Sequence, residues 1–308
     1  GKKKEATTYL NKVANSKEYG SQAKYYLGFM AYENDDYKEA SKYYDQISGE
    51  EKYKEKLSYF QADMNFKLGN FQKAIDLGEQ AMPKSTAAEQ SELNKIIGES
   101  YFNLKQYDKS ISYLSNYKGK KGKWNNTDFY QLGFAYYKQK EFENAVSQFN
   151  KIIGGKDAVA QNAYYHLGQS YLDLQKKQQA LNAFKNASEM EFDTEIQEDS
   201  YLNYAKLSYE IGNSYQSVPA VLIGFLKKYP TNSNKSEIEK LLIDSYISSK
   251  NYKEALILLE KNRKPENKLA YQKVLFYTGL ELYTDNDYQE ALKMFTKSIA
   301  EQQDNGIT

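Results

Sequence analysis

Residues 132–149 read LGFAYYKQKEFENAVSQF, and their spacing decides the fold. Leu132 and Gly133 open the block; Phe142 follows nine residues after the glycine, Ala145 twelve after and Phe149 sixteen after. Apolar and small residues at these intervals give two consecutive helices that each carry one apolar face. The glycine marks a close approach of the two helix axes, and the aromatic four residues after the alanine fills the adjoining groove.

The same block recurs outward in both directions. Leu27-Gly28 leads to Tyr37, Ala40 and Tyr44, and Ile97-Gly98 leads to Tyr107, Ser110 and Leu114. Leu167-Gly168 leads to Ala180 and Phe184, with Lys177 in the aromatic place, and Thr278-Gly279 leads to Tyr288, Ala291 and Phe295. Copies without the glycine start at Ala62 (Phe71, Ala74) and Ile243 (Tyr252, Ala255, Leu259). Another starts at Ala205, with Tyr215 and Val218 one residue late. The first small sites fall at 28, 62, 98, 133, 168, 205, 243 and 279, a period of 34 to 38 residues. A fixed period of this size is the mark of a stacked repeat array. Polar turns such as Asn34-Asp35-Asp36 and Lys250-Asn251 join the helices of a pair.

Composition agrees and excludes much else. Only four prolines among 308 residues, with 27% charged residues, favour helices over turn-rich β architecture. The 31 tyrosines, 14 phenylalanines and single tryptophan are too many large rings for a disordered chain. The net charge of +1 provides no global field toward nucleic acid or an anionic membrane. With no cysteine and one histidine, disulfides, thiol chemistry and histidine-clustered zinc are excluded. The longest apolar stretch, 218–226, is interrupted by Pro219 and Gly224, which is no membrane span.

In its Leu-Gly, Tyr, Ala and Phe positions the sequence resembles the tetratricopeptide repeat family, over essentially the whole chain. It departs from the family pattern in lacking the motif tryptophan, and closing prolines appear mainly at Pro83 and Pro230. The resemblance implies an all-α right-handed superhelical solenoid of antiparallel helix pairs. Residues 2–16 then read as the second helix of a truncated repeat, because Ala6 lies 34 residues before Ala40. Residues 17–300 hold eight helix pairs and 301–308 a polar tail, for seventeen helices in one domain. A start in mid-repeat suggests an excerpt of a longer solenoid, and Gly1 reads as a cleavage scar or mature terminus.

Family resemblance also selects a candidate surface. In tetratricopeptide proteins the concave groove is lined three residues before, one after and four after the small site. Those positions select Tyr25, Phe29, Tyr32, Tyr59, Phe66 and Phe102, then Tyr130, Phe134, Tyr137 and Tyr165, then Tyr209, Phe276 and Tyr283. Tyrosine combines a large, stiff contact area with a hydrogen-bonding tip, which suits protein recognition. The competing expectation is that the same rings pack between repeats as core. Members that grip a C-terminal carboxylate use a lysine–asparagine clamp; Lys95 occupies such a site, but Glu99 stands where asparagine is needed.

Other clusters read more plainly. The run Lys118-Gly119-Lys120-Lys121-Gly122-Lys123, followed by Trp124, could hold phosphates, but charge runs are usually solvated loops. Asp35-Asp36, Glu50-Glu51 and Glu198-Asp199 are adjacent carboxylates, which do not face each other on a helix and usually cap helix starts. His166 precedes Leu167-Gly168 and reads as a packing residue. There is no phosphate loop or nucleophile elbow, so no enzyme, cofactor or metal is expected.

The function implied is a protein- or peptide-binding scaffold, with a cell-envelope glycan or peptidoglycan module as the alternative. Sugar platforms favour tryptophan, and Trp124 stands alone. The missing cysteine and the segment Phe225-Leu226-Lys227-Lys228-Tyr229-Pro230 look like those of exported bacterial repeat proteins, which points to the periplasm or envelope, with the cytoplasm as the alternative.

Overall fold

A computed structural model describes residues 2–261, 263–304 and 306 of the chain. Gly1 and the last residues of the polar tail lie outside the described residues. The described residues form seventeen α-helices and no strand, in two compact units, Gly1–Leu174 and Gln175–Thr308. The first unit holds α1 (Lys2–Val13), α2 (Gly20–Tyr32), α3 (Tyr37–Asp45), α4 (Glu51–Lys67) and α5 (Phe71–Ala81). It continues with α6 (Ala87–Asn103), α7 (Tyr107–Leu114), α8 (Asn126–Lys138), α9 (Phe142–Phe149) and α10 (Ala158–Asp173). The second unit holds α11 (Lys177–Ser188), α12 (Thr194–Ile211), α13 (Val218–Lys228) and α14 (Lys235–Ser248). It ends with α15 (Tyr252–Lys261), α16 (Lys268–Thr284) and α17 (Tyr288–Glu301).

Within each unit every helix packs on the next one in sequence. The first helices of successive pairs also touch: α4 on α6, α6 on α8, α8 on α10, and α12 on α14. Stability in such an array comes from neighbours rather than a central core. The core is accordingly a series of local clusters. One joins Ala40, Tyr44 and Ile47 to Leu57 of the following pair; another joins Ala74, Ile75 and Ala81 to Leu93 and Ile97. In the second unit Ala255 and Leu259 meet Tyr271, Val274 and Leu275.

The small sites do what their spacing requires. A Cβ at Gly133 would lie 2.8 Å from Cε1 of Phe149, which is itself buried and has nowhere to go. Gly98 faces Leu114 in the same way, at 2.8 Å, and Gly279 faces Phe295 at 2.7 Å. Gly28 lies against the Tyr44 ring. Each glycine therefore meets the side chain sixteen residues on. At Ala62 the glycine has changed sides: its counterpart sixteen on is Gly78, whose missing side chain leaves room for Ile97.

The turns inside the pairs are equally regular. Seven residues after the small site stand Asp35, Gly69, Lys105, Lys140, Gln175, Lys250 and Asn286, all with φ between 58° and 79°. The next residue's N–H reaches back five residues: Asp36 to Ala31, Asn70 to Asn65, Gln106 to Tyr101, Glu141 to Tyr136, Asn251 to Tyr246 and Asp287 to Leu282. This is a helix C-terminus closed by a left-handed residue, and it satisfies carbonyls that the helix end would leave unpaired. The copy at Ala205 departs. Gly212 has φ 79° but ψ 173°, an extended turn, and α13 starts only at Val218. Tyr215, expected on the second helix, sits instead in this longer loop, with its hydroxyl 3.0 Å from Asn182 Oδ1. Asn213 holds the loop, bonding Tyr204 and Ser208 through its amide, each at 2.8 Å.

Candidate binding face

Side chains three before, one after and four after each small site share a register along the first helices, which touch from α4 through α10 and between α12 and α14. Eleven of the thirteen candidate rings on this row are half-buried, and Tyr209 and Tyr283 are 37% and 59% exposed. Tyr25 stacks on Tyr53 at 5.6 Å, while Phe29 and Tyr32 meet Phe60 of the next pair edge-on at 6.0 and 5.1 Å. Tyr59 also touches Phe60, and Phe66 lies 5.9 Å from Phe71. Phe102 reaches Phe134 of the following pair at 5.7 Å, and Phe134 lies between Tyr130 and Tyr137. In the second unit Phe276 packs on Phe295 and Tyr283 on Tyr288, while Tyr209 of α12 stands more open. Most of the rings are thus half-buried against neighbouring rings, Phe134 against several.

His166 sits in the middle of this row. Phe134, Tyr137 and Tyr165 present themselves edge-on to its ring at 4.9, 5.3 and 5.1 Å. Its Nδ1 lies 2.9 Å from the Asn162 carbonyl. Burial pushes its pKa down to about 4; the Asn162 carbonyl opposes this and the Lys138 charge adds to it. At neutral pH it is an uncharged ring among rings.

Where Phe29 and Phe134 have an aromatic one after the small site, the second and third pairs have Asp63 and Glu99. The Tyr32 hydroxyl donates to Asp63 at 2.5 Å, and burial followed by this bond raises the tyrosine pKa. Lys95 pairs with the buried Asp128 and lies 3.8 Å from Glu99. Burial works against the Lys95 charge, but the two carboxylates hold its pKa above the ordinary value. Burial also pushes the Glu99 carboxyl up, against the pull of Lys95. Asp128 has a second duty, closing a reciprocal cap with Asn125 at the start of α8. Lys95 is therefore committed to intramolecular carboxylates, which removes it as a carboxylate clamp. The sequence reading missed Asp63 and Asp128. Asp63 was findable by its register; the pairing of Lys95 with Asp128, 33 residues on, needed the packed helices.

The lysine run is a loop between pairs with its four lysines exposed, as expected of a solvated run, and it forms an ordered turn. Gly122 N–H bonds the Gly119 carbonyl, Lys123 N–H the Lys120 carbonyl, and Lys118 N–H the Ser91 hydroxyl at 2.9 Å. A Cβ at Gly119 would lie 2.5 Å from the Lys123 backbone, so only glycine fits. Trp124 anchors the turn: its ring lies against Tyr117 and Phe129, and its Nε1 donates to the Tyr117 carbonyl at 3.1 Å. That engagement leaves it poorly placed as a sugar platform.

Paired helices at this period, with a small residue seated against the side chain sixteen on, decide the class. The fold is tetratricopeptide-like. A model of the family described as "Anaphase-promoting complex, cyclosome, subunit 3" matches residues 119–187. Among solved structures, the chain is similar to MamA MSR-1 C2 at 17% identity and a TM-score of 0.48, over 59% of this chain and 99% of that one. It is similar to PilW, a type IV pilus biogenesis factor, at 18% identity and a TM-score of 0.44, over 71% and 97%. The C-terminal part of a TPR repeat-containing protein from Cytophaga hutchinsonii aligns at 14% identity and a TM-score of 0.43, over 81% and 97%. No curated protein matches the chain. Among the described residues no helix is long and apolar enough to cross a membrane.

Proposed function

We propose that this tetratricopeptide-like chain is a non-enzymatic scaffold that holds a protein or peptide partner along the face of its first helices. The row of half-buried rings carries the reading. Rings already packed against neighbours lose little freedom on binding, and such aromatic anchors dominate many protein interfaces. Resemblance to exported bacterial repeat proteins supports placing it in the periplasm or envelope. A glycan-binding role has no support in the packing of Trp124.

The test must separate binding from folding. Tyr32→Ser would confound the two, since it leaves the buried Asp63 without its donor. Tyr209 and Tyr283 are the open members of the row. Peptides selected from a random display library on the intact chain should lose affinity for Tyr209→Ser/Tyr283→Ser by about 2 kcal/mol or more if these rings are anchors. The melting temperature should stay nearly unchanged, because exposed substitutions usually cost within about 0.5 kcal/mol. Undiminished binding by the double variant sinks the reading.

A further inference from the structure

The ordered lysine turn also lines a recess. Its residues Lys118 and Lys121 reach one side of a cavity of about 870 Å³ in the first unit. Lys54 of α4, 3.9 Å from Glu51, and Lys84, just before α6, also line it, and all four lysines are exposed. Two carboxylates also line it, and Glu89 is already occupied in the reciprocal cap with Thr86 at the start of α6. The walls between the charges mix apolar Phe60, Ala81 and Ala88 with polar Ser58, Gln80 and Ser91.

We propose that this lysine-rimmed cavity is a second binding site, taking an acidic peptide segment of a partner protein. Charge complementarity identifies the occupant: Lys118 and Lys121, with no ion-pair partner among the described residues, line a recess in which Glu89 is tied into its helix cap. Size argues for a peptide over a free anion, since a cleft of this volume accommodates a ligand of many atoms, whereas a phosphate would fill a small part of it. Shape argues against a lipid surface, because these lysines line a recess and not a flat face. The loop's backbone bonds hold Lys118 and Lys121 in place before any ligand arrives, which reduces the ordering cost of binding. Lys123 of the same turn does not line the cavity and serves as an internal control.

The proposal shares only Tyr59 with the ring row, so either can fail alone. The probe is a fluorescein-labelled hexapeptide of Asp and Glu around one Phe, titrated with the full chain and followed by anisotropy. Binding should weaken about tenfold or more in Lys118→Gln/Lys121→Gln and remain near wild type in Lys123→Gln. Ala88→Glu, which adds a carboxylate at the cavity wall near a helix start, should abolish binding without lowering the melting temperature. Raising salt from about 50 to 500 mM should weaken the complex. The proposal is overturned if the Asn/Gln counterpart of the peptide binds equally, or if Lys123→Gln loses as much as the double variant. It is also overturned if inorganic phosphate at equal concentration displaces the probe completely, or if phosphatidylserine vesicles bind while the peptide does not.

Discussion

His166 shows how one residue changes meaning when its surroundings are known. In sequence it is a lone imidazole beside a Leu-Gly pair; in the fold it is the hub of a ring cluster with its pKa pushed down to about 4 by burial. A histidine whose folded pKa lies below its unfolded value of roughly 6.5 leaves the native state with fewer bound protons between those two values. Stability is therefore fully present above about pH 6.5 and declines as pH falls toward about 4. Urea unfolding at about pH 7 and about pH 4.5 should show the wild type losing about 1–3 kcal/mol more than His166→Phe, which keeps the ring but cannot take the proton. Equal losses in the two proteins would mean the imidazole is protonated without penalty in the native state.

At the scale of the element, the helix pair is set by two positions: the small site and the left-handed residue seven later. Lys105, Lys140 and Lys250 take φ near 60°, where a side chain clashes with its own backbone. For an L-residue this conformation costs roughly 1–2 kcal/mol. Glycine would remove that cost and add backbone entropy to the unfolded chain, so the two largely cancel. Lys140→Gly should thus melt within a few degrees of wild type, at or above it. Lys140→Val, β-branched, should melt distinctly lower, since about 1 kcal/mol more shifts a midpoint by roughly 2–8 °C depending on size. Matching midpoints would show that the turn can open without straining α8 and α9. The exposed lysine gives no hint of this strain in the sequence, because φ is set by closure of the turn and leaves no mark in the period.

For the whole molecule, neighbour-only packing makes damage local. Gly133→Leu drives extra atoms into the buried Phe149 ring, and overpacking of this kind costs about 1–3 kcal/mol. Hydrogen exchange should then quicken in α8, α9 and the helices that pack on them, while α2 and α3 keep their protection. Uniform loss of protection across the first unit would indicate a single cooperative block instead.

The sequence by itself determined the repeat, its period, the small–aromatic contacts and the all-α class. These follow from side-chain volume at fixed intervals, and a helix converts intervals directly into faces. It also placed thirteen rings on a common register. Tertiary structure alone decided the rest: that eleven of the rings are half-buried, that Lys95 is paired with Asp128, that Trp124 is folded into its own turn, and that Lys118 and Lys121 share a cavity with Lys54. The copy at Ala205 marks the boundary, where an extended Gly212 shifted the second helix and moved Tyr215 into a loop. Partners 33 residues or more apart meet only after helices stack, and whether a ring's second face is covered depends on side chains from the next repeat, which no interval within one repeat encodes.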